Sequence, residues 1–429
     1  MTLFYTFYTY LGIPISVKGA IPLVKDKLVD QLKGIQRAPL KPQQKLWFLN
    51  NRVVPSHLHS LILTRCTNGF LRHLDRLCRS AVKSWLKLPD CTPNAFFYAN
   101  AKDGGLGLCN LEFTIPALKA RRLAKLQSEE DPVVVAMTKS DSFKREVDRW
   151  TSPKAKRRGT LGPRLFEGYL MDTKDQRRHA WRESLYRTVD GCGLASSAEF
   201  EPVHRWVTSG TALLSGRMFR ASVALRAGVL PSRARNARGR PEEPTECDAC
   251  GRNETLAHIL QVCARTKRAR NDRHNKVLDV LHKEYVRLGF KVIREPRVKD
   301  KGSVYVPDMV VYKEGTYCKV LDATVVADNA NLSREHEKKV AKYTLPGVSA
   351  YCASLAGVEP VYSAFVLNWR GALCSRSALD AKSDGIKVDT LILCAVVCME
   401  RGALIHKFFT DSTYRVNQVG RVRTARAAR

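Results

Sequence analysis

The chain has 429 residues, 44% of them hydrophobic and 26% charged, which excludes an intrinsically disordered protein and leaves enough apolar surface for several cores. Lysine and arginine total 72 against 41 acidic residues, a formal net charge of +31 that points to a polyanionic partner, most simply nucleic acid. Secretion and membrane insertion fit poorly: the apolar opening MTLFYTFYTYLGIPIS has no basic leader or small-residue cleavage site, Leu391–Met399 is about half a membrane span, and an odd 13 cysteines, mostly isolated in apolar stretches (Cys66, Cys394, Cys398), read as reduced core thiols.

In chain order, the opening stretch reads as short strands, followed by helices through about residue 125. Leu28, Leu32 and Ile35 recur at helical spacing, and Leu71, Leu74, Leu77, Val82 and Trp85 continue a longer amphipathic pattern between Leu61 and Leu88. Gly104-Gly105-Leu106-Gly107 reads as a structural turn and not a phosphate loop, since no Lys-Ser/Thr follows it. Residues 126–245 are polar and basic, with Pro-Lys-Ala-Lys-Arg-Arg at 153–158, and read as a linker and arm. Arg226, Arg233, Arg235, Arg238 and Arg240 line the approach to a cysteine cluster, and arginine at that density can neutralise backbone phosphates.

Cys247-x2-Cys250-x7-His258-x4-Cys263 is the sharpest short motif. Tetrahedral zinc needs four such ligands, and C-x2-C supplies two thiolates from one tight turn, with Gly251 just after it where a positive φ costs little. Glu254–Cys263 reads as a short helix presenting His258 and then Cys263. Three buried thiols and a core histidine would leave that clustering unexplained.

Val304–Tyr312 and Tyr317–Val326 are β-rich runs about the turn Lys313-Glu314-Gly315. A hairpin centred on Gly315 places Asp308 opposite Asp322, their Cβ atoms about 5 Å apart, where like charges destabilise unless compensated. Each aspartate interrupts an apolar strand, so the pair is partly desolvated, and a hard divalent cation such as Mg²⁺ resolves the cost. The alternative is two exposed aspartates on an edge hairpin, or a register that sends them to opposite faces. Pro307 cannot donate to a ladder and demands an edge or a bulge. In the next helix His336, Lys339 and Tyr343 share a face; Lys339 either reaches the carboxylates or is solvated with Glu335 as its partner. Upstream, Arg273-His274-Asn275 opens an amphipathic helix, and His274 reads as structural.

The order Leu230-Pro231-Ser232-Arg233-Ala234-Arg235, the CCHC cluster with Ala257-His258-Ile259-Leu260, Arg273-His274-Asn275, Pro307-Asp308, Leu321-Asp322 and Lys339-Val340-x2-Tyr343 resembles the C-terminal half of the polyprotein of site-specific non-LTR retrotransposons that insert into ribosomal RNA genes. That resemblance implies a restriction-like endonuclease of the PD-(D/E)XK fold, with Asp308 and Asp322 as metal-binding carboxylates and Lys339 as the catalytic lysine. Thr324 stands where the simple (D/E)-x-K pattern would put its lysine, and Lys338 rivals Lys339. Tyr10-Leu11-Gly12-Ile13, Ala38–Pro42, Trp85–Pro89 and Gly104–Gly107 are similar to the end of a reverse transcriptase and its thumb. No Ala-Asp-Asp polymerase signature occurs, and Val326-Ala327-Asp328-Asn329 does not replace it, so the polymerase palm is expected beyond the N-terminus.

The expected architecture is therefore α+β and multidomain: 1–125 the end of a reverse transcriptase with a thumb-like helical region, 126–245 a basic linker and arm, 246–264 a CCHC zinc knuckle, 265–415 an α/β restriction-like endonuclease and 416–429 a basic tail. The expected activity is Mg²⁺-dependent nicking of double-stranded target DNA in the nucleus, which primes reverse transcription of the element RNA, with zinc structural. Two other classes compete: a non-catalytic zinc-knuckle nucleic-acid-binding module, and a nuclear structural protein whose helices bind a partner.

Overall fold

A computed structural model describes residues 8–10, 13–16, 19–20, 24–151, 165–166 and 169–427. The basic run at 153–158 lies outside the described residues, as do Leu11, Gly12 and the final pair 428–429. The chain divides into two units: Met1–Asn100 with Gly105–Thr188, and Ala101–Gly104 with Val189–Arg429.

The first unit begins with three short antiparallel strands, β1 (Tyr8–Tyr10), β2 (Ile13–Ser16) and β3 (Gly19–Ala20). Helices follow: α1 (Val24–Arg37), α2 (Pro42–Phe48), α3 (Val54–Leu63), α4 (Asn68–Leu86), α5 (Asn94–Tyr98), α6 (Leu111–Gln127), α7 (Pro132–Thr138) and α8 (Asp141–Thr151). A two-stranded pair β4 (Leu165–Phe166) and β5 (Tyr169–Leu170) precedes α9 (Lys174–Arg187). Leu28, Leu32 and Ile35 are buried on α1 as their spacing requires. The amphipathic stretch after Leu61 is not continuous: α3 ends at Leu63, and α4 restarts where the Thr67 hydroxyl accepts from the Phe70 amide. The Gly104–Gly107 segment is a turn, with φ +100° at Gly104 and +70° at Gly107. A Cβ at Gly105 would collide with the Ala99 carbonyl, so only glycine fits there.

The second unit corrects the expectation of a linker over 126–245. Residues Cys192–Val207 form a kinked 3-10 segment and Gly216–Arg226 a helix, α10; together they bury Leu194, Val203, Trp206, Phe219 and Val223. A single turn of helix follows, α11 (Arg233–Asn236), capped by Ser232. Helix α12 (Lys267–Arg287) leads into β6 (Lys291–Arg294), a hairpin of β7 (Val298–Asp300) and β8 (Ser303–Tyr305), then β9 (Met309–Lys313) and β10 (Tyr317–Val326). Helices α13 (Leu332–Tyr343) and α14 (Pro346–Ala356) cross to β11 (Val361–Asn368), followed by α15 (Ser375–Ser383) and α16 (Val388–Ala427), which runs through the boundary expected at residue 415.

The main sheet has the order β11-β10-β9-β6, with β10 and β11 parallel and the other pairs antiparallel. Both faces are covered. Met309, Val311, Leu321 and Ala323 pack with Val277, Leu278, Leu281 and Tyr285 of α12 and with Leu391 and Cys394 of α16. Val310, Tyr312, Cys318 and Val320 pack with Tyr343 of α13 and Val348 and Cys352 of α14. Two covered faces explain why these strands read as near-continuous apolar runs. Odd and even positions of β9 and β10 therefore face different layers, which decides where each polar residue points. The run Val304–Tyr312 is not one strand: Ser303–Tyr305 pairs with β7, and only Met309–Lys313 joins the sheet, the break falling at Val306-Pro307-Asp308. Proline's missing donor is the physical reason.

Candidate functional site

The β9–β10 hairpin has the register centred on Gly315: Cys318 faces Tyr312 and Leu321 faces Met309. Asp308, one residue before β9, is thereby carried to the position opposite Asp322, and its Oδ2 accepts from the Ala323 amide at 2.7 Å. Asp322 is 4% exposed and Asp308 partly buried. Helix α13, started by an Asn331 cap on the Arg334 amide, brings Lys339 Nζ to 2.6 Å from Asp322 Oδ2. Lys338 points elsewhere, pairing with Glu335 at 2.5 Å, so Lys339 is the lysine that lies beside the carboxylates and Glu335 is not its partner. Tyr343, one turn on, donates to the Val306 carbonyl at 2.9 Å, and its phenol is pushed far above its ordinary range by burial and by the nearby Asp322 and Asp308 charges. His336, expected on the same face, instead meets Asp380 Oδ2 at 3.2 Å.

Sequence reasoning missed one member of this group. His274 Nε2 lies 3.2 Å from Asp308 Oδ1, reaching the carboxylate from α12. The signal available was its place in Arg273-His274-Asn275, but helical periodicity alone assigned it to the apolar side. Two carboxylates therefore lie side by side in a half-buried setting, Asp322 paired with the Lys339 ammonium and Asp308 held by His274 and the Ala323 amide. That donor set suits a hard divalent cation held by carboxylate oxygens.

The cysteine cluster assembles as its spacing requires. The Cys250 and Gly251 amides both donate to the Cys247 carbonyl, at 3.2 and 2.8 Å, and Gly251 takes φ +68° to close the turn. A short helical segment from Leu256 presents His258, and Cys263 follows its last turn. Cys247 Sγ lies 3.9 Å from Cys263 Sγ, Cys250 Sγ lies 3.4 Å from His258 Nε2, and all four donor atoms fall within 4.8 Å of one another. Tetrahedral zinc with bonds of about 2.3 Å separates two sulfurs by about 3.8 Å, so the four donors fit that ion. Burial raises the Cys247 thiol to about 11, whereas the Arg252 amide lowers that of Cys250. Burial and the Arg252 charge lower His258, favouring the neutral ring that a metal needs. Gln261, also overlooked, donates to the Val325 and Val326 carbonyls at 3.2 and 2.5 Å and so ties this cluster to the end of the Asp322 strand.

The arginines expected to bind nucleic acid divide sharply. Arg226 is 1% exposed, its guanidinium committed to the Gly104 and Ala101 carbonyls at 2.8 Å each and to His204 at 3.0 Å. It is a core residue, and its assignment to phosphate is corrected on that ground. Arg235, with 9% of its side chain exposed, is likewise held by Asp190 at 2.7 Å and the Gly228 carbonyl at 3.0 Å. Arg233 joins the cluster to the arm through the Glu246 carbonyl, Asp248 and Glu254. Arg238 shares Asp190 at 2.8 Å but stays half-exposed, and Arg240 is exposed. Asp328 is spent on Arg370 at 2.6 Å, a structural pair. All 13 cysteines are free thiols, and among the described residues no helix is long and apolar enough to cross a membrane.

These features define an α+β protein with a Cys3His cluster fit for zinc and a separate centre of two aspartates and a lysine. No protein-family model matches the chain. It is 31% identical over 404 residues, 92% of its length, to the Retrovirus-related Pol polyprotein from type-2 retrotransposable element R2DM of Drosophila melanogaster. It is 28% identical over 418 residues to the R2 Pol polyprotein of Nasonia vitripennis, and 29% identical over 416 residues to one from Popillia japonica, of which the match covers 82%. The chain is thus similar, over most of its length, to Pol polyproteins of R2 retrotransposable elements; it spans 37% and 38% of the Drosophila and Nasonia proteins.

Proposed function

We propose that this chain is part of a retrotransposon reverse transcriptase/endonuclease polyprotein, and that its second unit is an endonuclease that nicks double-stranded target DNA. The observation that carries the reading is the meeting of Asp308, Asp322 and Lys339 on adjacent elements, with Lys339 Nζ 2.6 Å from Asp322. The succession α12–β6–β9–β10–α13–α14–β11, with its carboxylates at the centre of a mixed sheet, supports a PD-(D/E)XK-type nuclease. Residues 1–125 are assigned to the end of a reverse transcriptase and its thumb, 246–264 to a zinc knuckle and 265–415 to the nuclease.

Asp308 and Asp322 would hold Mg²⁺, which when bound polarises a phosphoryl oxygen and lowers the pKa of a water. Lys339 places an ammonium where negative charge develops on the scissile phosphate. His274 and the Ala323 amide fix the two oxygens of Asp308, so its orientation is set before substrate arrives. Cys247, Cys250, His258 and Cys263 would hold zinc as a structural ion. The released 3′-hydroxyl primes reverse transcription of the element RNA by the polymerase, and the nucleus, where target DNA lies, is the site of action.

The test is supercoiled-plasmid nicking by the purified chain, with and without Mg²⁺, beside Asp308→Ala and Asp322→Ala. Mg²⁺-dependent nicking that falls roughly a thousandfold in either variant, the scale of losing a principal electrostatic group, with DNA affinity nearly unchanged, bears the reading out. Tight, salt-sensitive DNA binding without nicking assigns the chain to the non-catalytic zinc-knuckle class.

A further inference from the structure

We propose that the β7–β8 hairpin is a DNA-engaging ribbon that seats the duplex beside the carboxylate pair; the inference rests on the nuclease reading for its choice of ligand. The hairpin is tight. Lys301 and Gly302 take φ +42° and +82° between the paired residues Asp300 and Ser303, the left-handed pair of a two-residue turn matched to strand twist. Its inward face is already filled: Val298 and Tyr305, which pair across the strands, pack with Val310, Tyr312 and Val348. Asp300 turns inward as well and accepts from the Gly347 amide at 2.7 Å.

Among the described residues the outward face has no such partner. Arg297, Lys299 and Lys301 are all exposed, and none has an ion-pair partner among the described residues. Alternation puts Arg297 and Lys299 on one side about 6.6 Å apart, with Lys301 at the tip. On the neighbouring strand Val304, paired with Lys299, is 48% exposed, and Val306 is 40% exposed. The face is therefore a basic row beside an apolar row, and the hairpin's only acid, Asp300, points away.

Its base is fixed to the candidate site. Tyr343, beside Asp322, holds the Val306 carbonyl at 2.9 Å, and the Glu295 amide donates to the Asp308 carbonyl at 3.1 Å. The chain leaves the ribbon through Pro307 directly into Asp308. A polyanion lying along the basic row is thus continuous with the carboxylate centre. Duplex DNA fits best among polyanions. The major groove of B-form DNA admits a two-stranded ribbon and offers thymine methyls to apolar side chains, whereas the A-form groove of duplex RNA does not admit side chains. Single strands are bound by stacking on aromatic rings, and the outward face carries none.

The experiment is duplex-DNA binding by fluorescence anisotropy across a salt series, without Mg²⁺, for the full chain and for Arg297→Gln/Lys299→Gln/Lys301→Gln. Each phosphate contact contributes about 0.9 to the slope of log K against log salt, so the triple variant loses about two to three in slope. Lys301→Gln alone, at a solvent-exposed tip where folding is not at stake, loses about 0.9. Val304→Ser/Val306→Ser weakens duplex binding with the slope unchanged. Unchanged slopes in both charge variants overturn the proposal, and so does an equal loss on duplex RNA or single-stranded DNA of the same sequence. A slope that falls as expected in a chain that never nicks keeps the ribbon and removes the nuclease; nicking with unchanged slopes does the reverse.

Discussion

Lys319 and Asp322 stand three residues apart on β10 and face opposite layers, and each belongs to a lysine–aspartate pair with a closest contact of 2.6 Å. On one face Lys319 meets Asp384, and the two side chains are 5% and 2% exposed. Asp384 also accepts from Tyr285 and Tyr317 at 2.6 and 2.5 Å, while Lys319 donates to the Asp380 carbonyl at 3.2 Å. Every strong bonding direction of that carboxylate is taken. On the other face Lys339 keeps 29% of its side chain exposed and pairs with Asp322, while Asp308 beside it is held by His274 and the Ala323 amide. Burial and ion pairing alone do not mark a site. The difference lies in charge left uncompensated where solvent and substrate can reach it.

The comparison breaks most visibly under substitution of the two lysines. Lys319→Met leaves Asp384 buried without its cation, and the expected cost is about 3–5 kcal/mol of stability, read in urea unfolding. On the proposed nuclease reading, the protein that remains folded at low temperature nicks plasmid at the wild-type rate. Lys339→Met, assayed in Mg²⁺, does the opposite on the nuclease reading: nicking falls roughly 10²–10³-fold, the scale of losing one preorganised electrostatic donor, while the unfolding midpoint in Mg²⁺ falls less than in Lys319→Met, since the bound cation compensates the carboxylates. If Lys319→Met lowered turnover of folded protein, or Lys339→Met unfolded the chain, the division between a saturated pair and an open one would fail.

Much of the open face is legible in the sequence. Asp308 opposite Asp322 follows from the turn at Gly315 and the period of two in a strand, whereas helical spacing leaves Lys339 open between the carboxylates and solvent, and only the family resemblance favours it over Lys338. The turn and the strand period are local rules, and the register obeys them. The saturated face is not legible, because Tyr285, Lys319 and Asp384 come from three elements whose meeting depends on how α12 and α15 cover the sheet. His274 escaped notice for the same reason: its partner is 34 residues away. The arginines of the arm failed in the other direction. Composition counts charges, but the Arg226 charge is consumed by two carbonyls and a histidine inside the fold. The Cys3His cluster was the easiest to read, since a tight turn and a short helix supply its four ligands within seventeen consecutive residues.

The mildest test concerns protons on the saturated face. Burial and the Asp384 charge raise the Tyr285 phenol well above its ordinary value near 10. Below pH 10 the folded and unfolded chains both keep this proton, and the stability it contributes is fully present. Above pH 10 the unfolded phenol ionises while the folded one does not, so stability falls by about 1.4 kcal/mol per pH unit for this group. Tyr285→Phe removes that slope but also takes one donor from Asp384, a loss of about 1–3 kcal/mol at neutral pH. The variant should therefore be the less stable protein at pH 8, and its denaturant midpoint should approach that of wild type as pH climbs past 10. Parallel curves with the same alkaline slope would mean that the phenol titrates alike in both states. Neither burial nor the Asp384 charge would then act on Tyr285, this face would be open to solvent, and the contrast with Asp322 would fail.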